Sequence, residues 1–278
     1  MRFLGKSATL VSLATYAGIC LSGQGLVSAN GHKLFLDCRG FASGPTVILL
    51  AGGGGTTNTW DKVQPQVAAF ARVCSYDRAG LGKSSSIHEP QSADEIVGDL
   101  AALLLAAHLP EPYILVGHSI GGLYARKFDE RFDPLVAGMV LVDSAHEEQI
   151  WRFAKGEPDA LAEYPDWKNS TAMSKQGFLP PEEHLQWHFT KPLIVLEHGV
   201  PPEPVWHAMQ QDLACRAVEG SLIQATQSSH YIQKLQPDLV IESIQAVLSR
   251  LGMHEYRCGF QECRWKEGKR RRPNDANR

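Results

Sequence analysis

The segment Gly117-His118-Ser119-Ile120-Gly121-Gly122 holds a serine within G-x-S-x-G. The pattern alone decides little, because it also arises by chance. Its context says more: the apolar run YILVG precedes it, and a helical pattern over 120–132 follows. A sharp strand–turn–helix of this kind needs small residues at 117 and 121. It lifts the Ser119 hydroxyl above the strand end, beside helix N–H groups that favour developing negative charge. A serine hydroxyl is a weak nucleophile at neutral pH and needs a base. Of the eleven histidines, His230 lies between an expected strand at 222–225 and a final helix at 237–251. That puts it at the carboxyl edge of a sheet, on the same side as Ser119. His32, His88, His108 and His118 fit surface or packing roles. His184 and His188 share a helical face, but HLQWH lacks the glutamate of a zinc protease motif, so no metal site is expected.

Two glycine patterns imitate nucleotide loops. Gly82-Lys83-Ser84 resembles the end of a P-loop, yet the first glycine of that motif would fall at Asp77. The run at 52–55 follows a strand, but the third glycine of a dinucleotide loop would fall at Thr57 or Asn58.

The elements that must position these groups alternate along the chain. Strands are expected at 34–38, 46–50 (TVILL), 72–76, 113–117, 138–142 (GMVLV), 193–196 (LIVL) and 222–225. Ser92 opens a helix, with Glu95 in capping-box position and apolar residues continuing to Ala107. Strand, turn, helix, strand in this order implies an α/β fold, a mainly parallel sheet covered by helices on both faces. Residues 145–191 break the rhythm. They hold Trp151, Trp167, Trp187, Phe153, Phe178 and Phe189, and read as a helical cap insertion whose aromatics shape an apolar pocket.

The chain has 278 residues, 44% of them hydrophobic, and a formal charge of −3. These values exclude a disordered chain and a polytopic membrane protein, and give no reason to expect nucleic acid as a partner. Arg2 and Lys6 precede an apolar stretch at 8–21, and Val27-Ser28-Ala29 offers small residues for a signal peptidase. Residues 1–29 therefore read as a signal peptide cut after Ala29, with a secreted or periplasmic product and no stable membrane span in the mature chain. An uncleaved N-terminal anchor is the alternative. The catalytic domain then spans 30–255, followed by a basic tail at 256–278. Six cysteines are present; export would remove Cys20 and leave five in an oxidising compartment, where disulfides persist.

Across 32–251 the chain resembles the α/β-hydrolase family. The matching features are TVILLAGGGG followed by Trp60, CSYDRAGLGKS at 74–84, GHSIGG at 117–122, VLVDS at 140–144 and SSHYIQKLQPD at 228–238. The resemblance implies a Ser-acid-His triad acting through an acyl-enzyme, with Ser119 as nucleophile and His230 as base. It also implies an oxyanion hole made by the N–H groups of Ile120 and Gly53. The expected activity is that of a serine carboxylesterase on a small-molecule ester, with no cofactor. Amides, lactones and carbon–carbon bonds are further options, as is a binding module with weak or no turnover. In the family's sheet order the strand of Cys38 lies beside that of Cys74, which implies a disulfide between them; Cys258 and Cys263 are a second candidate pair.

Two departures from the family pattern stand out. Many members carry His-Gly after the TVILL strand, where this chain has Ala51-Gly52. The acid expected shortly after LIVL is missing from Glu197-His198-Gly199-Val200-Pro201-Pro202-Glu203. Asp143, at the end of GMVLV, becomes the candidate acid, since some members place it after this strand. Glu203 and Glu197 are its rivals, and Asp143 could instead cap a helix beginning near Ser144.

Overall fold

A computed structural model describes residues 23–41, 43–183 and 187–252. Among the described residues the first chain reversal is the Asn30-Gly31 turn, with φ of 47° and 85°. Both residues are left-handed, as a two-residue hairpin requires and as Asn-Gly permits. The turn joins β1 (Gly23–Ala29) to β2 (His32–Arg39), which pair antiparallel from Gly23↔Cys38 to Ala29↔His32. The expected domain start at 30 therefore falls inside a hairpin, and a cut after Ala29 would detach β1 from β2. The expected leader at 1–22 lies outside the described residues, as does the tail from 253 onward.

The remaining strands are β3 (Thr46–Leu50), β4 (Val73–Tyr76), β5 (Tyr113–His118), β6 (Val136–Val142), β7 (Phe189–His198) and β8 (Ala217–Ala225). Together they form one eight-stranded sheet in the order β1-β2-β4-β3-β5-β6-β7-β8. β2 is antiparallel to β4, and every pairing from β4 to β8 is parallel. The central strands are continuous apolar runs because both faces are covered. Alternation then sorts them. Ile48, Leu50, Leu115, Met139, Leu141, Leu193 and Val195 face one core, while Val47, Leu49, Ile114, Val116, Val140, Val142, Ile194 and Leu196 face the other. Truncating one such leucine to alanine costs about 2–5 kcal/mol.

The first core is closed by α2 (Ala93–Ala106) and α3 (Ile120–Phe132). Ser92 and Glu95 form the expected capping box at the start of α2. The second core is closed by the short α1 (Gln64–Val67) and by α8 (Pro237–Gly252), whose Val240, Ile241, Ile244 and Val247 are buried. Between β6 and β7 lie α4 (Gln149–Gly156) and α5 (Ser170–Gln176) with 3₁₀ turns, so this insertion is helical among its described residues. It ends earlier than 191, because β7 already begins at Phe189. Between β7 and β8 stands α6 (Pro204–Cys215), a helix not among the expected elements; α7 (Ile232–Leu235) precedes α8. Cys38 and Cys74 face each other across the β2–β4 ladder and are disulfide-bonded. Cys258 and Cys263 lie outside the described residues.

Candidate active site

Parallel pairing brings the C-terminal ends of β5, β6, β7 and β8 to one edge of the sheet, where the chemistry gathers. Ser119 follows β5 with φ 53° and ψ −127°, a conformation that costs a residue with a Cβ about 1–3 kcal/mol. Its neighbours hold it there: Ser119 N–H donates to the Val142 carbonyl at 3.1 Å, and its own carbonyl accepts from Gly122 and Ala145 N–H, each at 2.9 Å. The turn can be this tight only with glycine on both sides. A Cβ at 117 would lie 2.5 Å from the Gly121 oxygen, and one at 121 would lie 2.4 Å from the Leu50 oxygen. Ser119 and Ile120 remain half-buried, and Ile120 N–H opens α3 without an intrahelical acceptor.

Asp143 follows β6, fully buried at φ 47°, with its N–H on the Leu196 carbonyl at 2.7 Å. No helix starts at Ser144; α4 begins at Gln149. His230 follows β8, and its Nδ1 lies 2.6 Å from Asp143 Oδ2. Its carbonyl is 2.9 Å from His118 Nε2, and the two rings are 4.7 Å apart, so His230 lies against the residue before Ser119. Among the described residues no hydrogen bond joins Ser119 Oγ to His230. The rival carboxylates have other partners. Glu197 binds His207 Nδ1 at 2.9 Å, and Glu203 faces His198 Nε2 at 3.8 Å.

Asp143 has more partners than the sequence suggested. His198, at the end of β7, donates its backbone N–H to Oδ1 at 2.9 Å and brings Nδ1 to 2.8 Å from Oδ2. Trp206 of α6 donates Nε1–H to Oδ1 at 2.8 Å. Burial alone would raise this carboxyl's pKa; the hydrogen bonds and charge of His198 and His230 outweigh it and hold Asp143 far below the usual carboxylate range. His118 shows the opposite balance. Burial and the nearby His230 pull it down to about 4, so it stays neutral near pH 7.

The loop after β3 lacks the family's histidine, and Arg78 supplies hydrogen bonds there. Its guanidinium donates to the Ala51 carbonyl at 2.6 Å and to the Gly52 carbonyl at 2.5 Å. In a trans peptide the N–H points opposite to the C=O, so fixing the Gly52 oxygen also fixes the direction of Gly53 N–H. A Cβ at Gly52 would sit 2.8 Å from His118 Nδ1 and 3.1 Å from Ser119 Cβ, which shows how closely this loop approaches the elbow. The Gly82-Lys83-Ser84 turn serves the same region: Lys83 N–H donates to Asp77 Oδ2 at 2.8 Å, and Thr57 N–H donates to Asp77 Oδ1 at 2.7 Å.

The insertion's aromatics are mostly packing. Trp187 belongs to the core under the sheet, stacked 5.3 Å from Phe189 and donating to Asp129 at 2.8 Å, which corrects its expected place in a pocket. Phe153 stacks on Trp206 at 6.1 Å, while Trp151 and Trp167 are half-buried against the same cluster. A buried ionic network roots the insertion: Glu147 pairs with Arg126 and Arg216, and His146 Nε2 lies 2.8 Å from Asp212. No group of three or more His, Cys, Asp or Glu residues suited to a metal ion occurs among the described residues; His184 lies outside them. No described helix is long and apolar enough to cross a membrane.

Comparison with known proteins bears on the family and the fold. A family model for the alpha/beta hydrolase fold matches residues 45–190. YqjL of Bacillus subtilis (strain 168), itself uncharacterized, is 30% identical over 76% of this chain and 86% of its own length. The chain spans less than half the length of several other curated relatives it matches. Among solved structures, Est816, described as an N-acyl homoserine lactone degrading enzyme, superposes with a TM-score of 0.63 at 19% identity, covering 80% of this chain and 99% of its own. A thermophilic esterase from Thermogutta terrifontis gives 0.61 at 19% identity, covering 82% and 99%. The likeness to those two structures concerns the fold alone. The matched segment, the YqjL relationship and the eight-stranded sheet show that the chain belongs to the alpha/beta hydrolase family.

Proposed function

We propose that this protein is a serine hydrolase that cleaves small or medium carboxylic esters through an acyl-enzyme on Ser119. The observation that carries the reading is the 2.6 Å contact between His230 Nδ1 and Asp143 Oδ2, formed at the sheet edge that also bears the strained Ser119. With Nδ1–H donated to Asp143, His230 keeps Nε2 free to take the Ser119 proton as Oγ bonds to the ester carbon. The Ile120 and Gly53 N–H groups stabilise the oxyanion. Collapse of the tetrahedral species breaks the ester C–O bond, and His230 returns the proton to the leaving alcohol. Water then repeats the sequence on the acyl-enzyme and releases the acid.

The naming of structural neighbours as an esterase and a lactone-degrading enzyme supports an ester-type substrate. Export to an oxidising compartment belongs to the same proposal. It rests on the Cys38–Cys74 disulfide and on the basic-then-apolar N-terminal pattern, with any cleavage falling before β1. The test is turnover of a p-nitrophenyl ester panel beside a Ser119→Ala control. Turnover by wild type and none by the variant supports the reading. No turnover by folded wild type, or equal turnover by the variant, overturns it in favour of a binding module.

A further inference from the structure

The acid at this site is shared by two imidazoles. Oδ2 of Asp143 lies 2.6 Å from His230 Nδ1 and 2.8 Å from His198 Nδ1. Both rings therefore present the same nitrogen to one carboxylate, His230 from the reacting side and His198 from behind. His198 is held firmly: its own N–H also binds Asp143, and its ring lies 6.0 Å from that of Trp206. Its outer nitrogen is not sealed into the core. Nε2 is 3.8 Å from Glu203 Oε2, and both side chains line a cavity of about 340 Å³ with Glu197, Trp206 and His207.

We propose that His198 is a positioning residue that sets the charge Asp143 presents to His230, and with it the pH range of turnover. The proposal rests on the triad reading above. Neutral His198 leaves the full carboxylate charge to His230. Protonated His198 shares that charge, so His230 gives up its own proton more readily and remains a working base at lower pH.

The groups around His198 favour this second state. Asp143 faces it from the end of β6, Glu203 from the start of α6, and Glu197 from its own strand. Glu197 is in turn paired with His207 of α6. Beyond Asp143 stand His230 and the neutral His118. Burial opposes a charge on His198, but Asp143, Glu203 and Glu197 outweigh it and raise its pKa above the ordinary histidine value. Two imidazoles that share a carboxylate titrate as a coupled pair.

The experiment compares kcat/KM against pH for wild type and His198→Asn, using a short-chain p-nitrophenyl ester. Asparagine can keep an N–H near the Nδ1 position and cannot take up a proton. The expected result is an acidic limb moved to higher pH by about one unit in the variant, because the second cation is gone. An unmoved limb, with the whole profile scaled down, overturns the proposal and leaves His198 a structural hydrogen-bond donor. Should the variant fail to fold, imidazole ¹⁵N titration of wild type decides. Coupled two-step curves for His198 and His230 support the proposal, and independent single steps overturn it. Fluorophosphonate labelling in parallel separates the two levels. Label on Ser119 with an unmoved limb rejects only the role of His198, whereas no label on Ser119 rejects the triad and this proposal with it.

Discussion

Replacing Asp143 by asparagine tests the acid by a route the structure makes specific. Oδ1 receives His198 N–H at 2.9 Å and Trp206 Nε1–H at 2.8 Å, with His198 Nδ1 at 3.0 Å. Oδ2 receives His230 Nδ1 at 2.6 Å and shares His198 Nδ1 at 2.8 Å. Asparagine has one acceptor oxygen, and the Oδ1 position satisfies more donors. Its NH₂ group then falls opposite His230 Nδ1. Two donors cannot face each other, so His230 must turn Nδ1 into an acceptor and carry its proton on Nε2. In that tautomer it cannot take the Ser119 proton, and kcat should fall by about 10³–10⁴. Exchanging a charged acceptor for a neutral one at these buried contacts should also cost about 2–4 kcal/mol of stability. Steady-state ester hydrolysis at pH 8, together with urea unfolding of the same preparations, measures both effects. Glu203→Gln and Glu197→Gln should each lose less than about tenfold. A folded Asp143→Asn enzyme with near-wild-type kcat, or a thousandfold loss in Glu203→Gln, refutes the reasoning.

Arg78→Met should lower kcat by about 10–100-fold with little change in KM, because Gly53 N–H loses its aim when the Ala51 and Gly52 carbonyls are released; a pure KM effect would contradict this. His118, with a folded pKa of about 4 against about 6.5 unfolded, binds fewer protons folded than unfolded between those values. Its contribution is complete above pH 6.5 and is lost as pH falls towards 4, by about 3 kcal/mol. Urea midpoints measured across that window should show the fall, and His118→Gln should flatten it. The Cys38–Cys74 bridge spans a sequence separation of 36, so replacing both cysteines by serine should cost about 4 kcal/mol in chemical denaturation. A loss below about 1 kcal/mol would remove the bridge from the account of stability.

Much of this arrangement is legible in the sequence because local pattern encodes it. TVILL, YILVG and GMVLV are buried on both faces and read as strands without help from their partners. The elbow is legible because its glycines are forced by backbone atoms within four residues or on the next strand. Other elements are missed or shortened, three of them for definable reasons. β1 is hidden under the leader pattern, although Asn30-Gly31 is a strong hairpin signal. β8 reads short because only Ala217 and Ala225 are buried along it, leaving no continuous apolar run. α6 opens on Pro204 after Pro201-Pro202-Glu203, a segment that reads as loop, yet Trp206, Met209, Gln210 and Leu213 recur at helical spacing on its buried face. The partners of Asp143 lie beyond local reading altogether. His198 and Trp206 are 55 and 63 residues away along the chain and meet it only once the parallel strands align. Arg78 could be quoted within CSYDRAGLGKS, but its carbonyl partners are 26 and 27 residues upstream.

The central claim is that Ser119 is an activated nucleophile. Labelling the folded protein with a fluorophosphonate probe, followed by mass spectrometry of the modified peptide, tests it most directly. The account predicts one covalent adduct on Ser119 in wild type and its loss in Ser119→Ala. An adduct on a different serine, or none on folded protein, would contradict it.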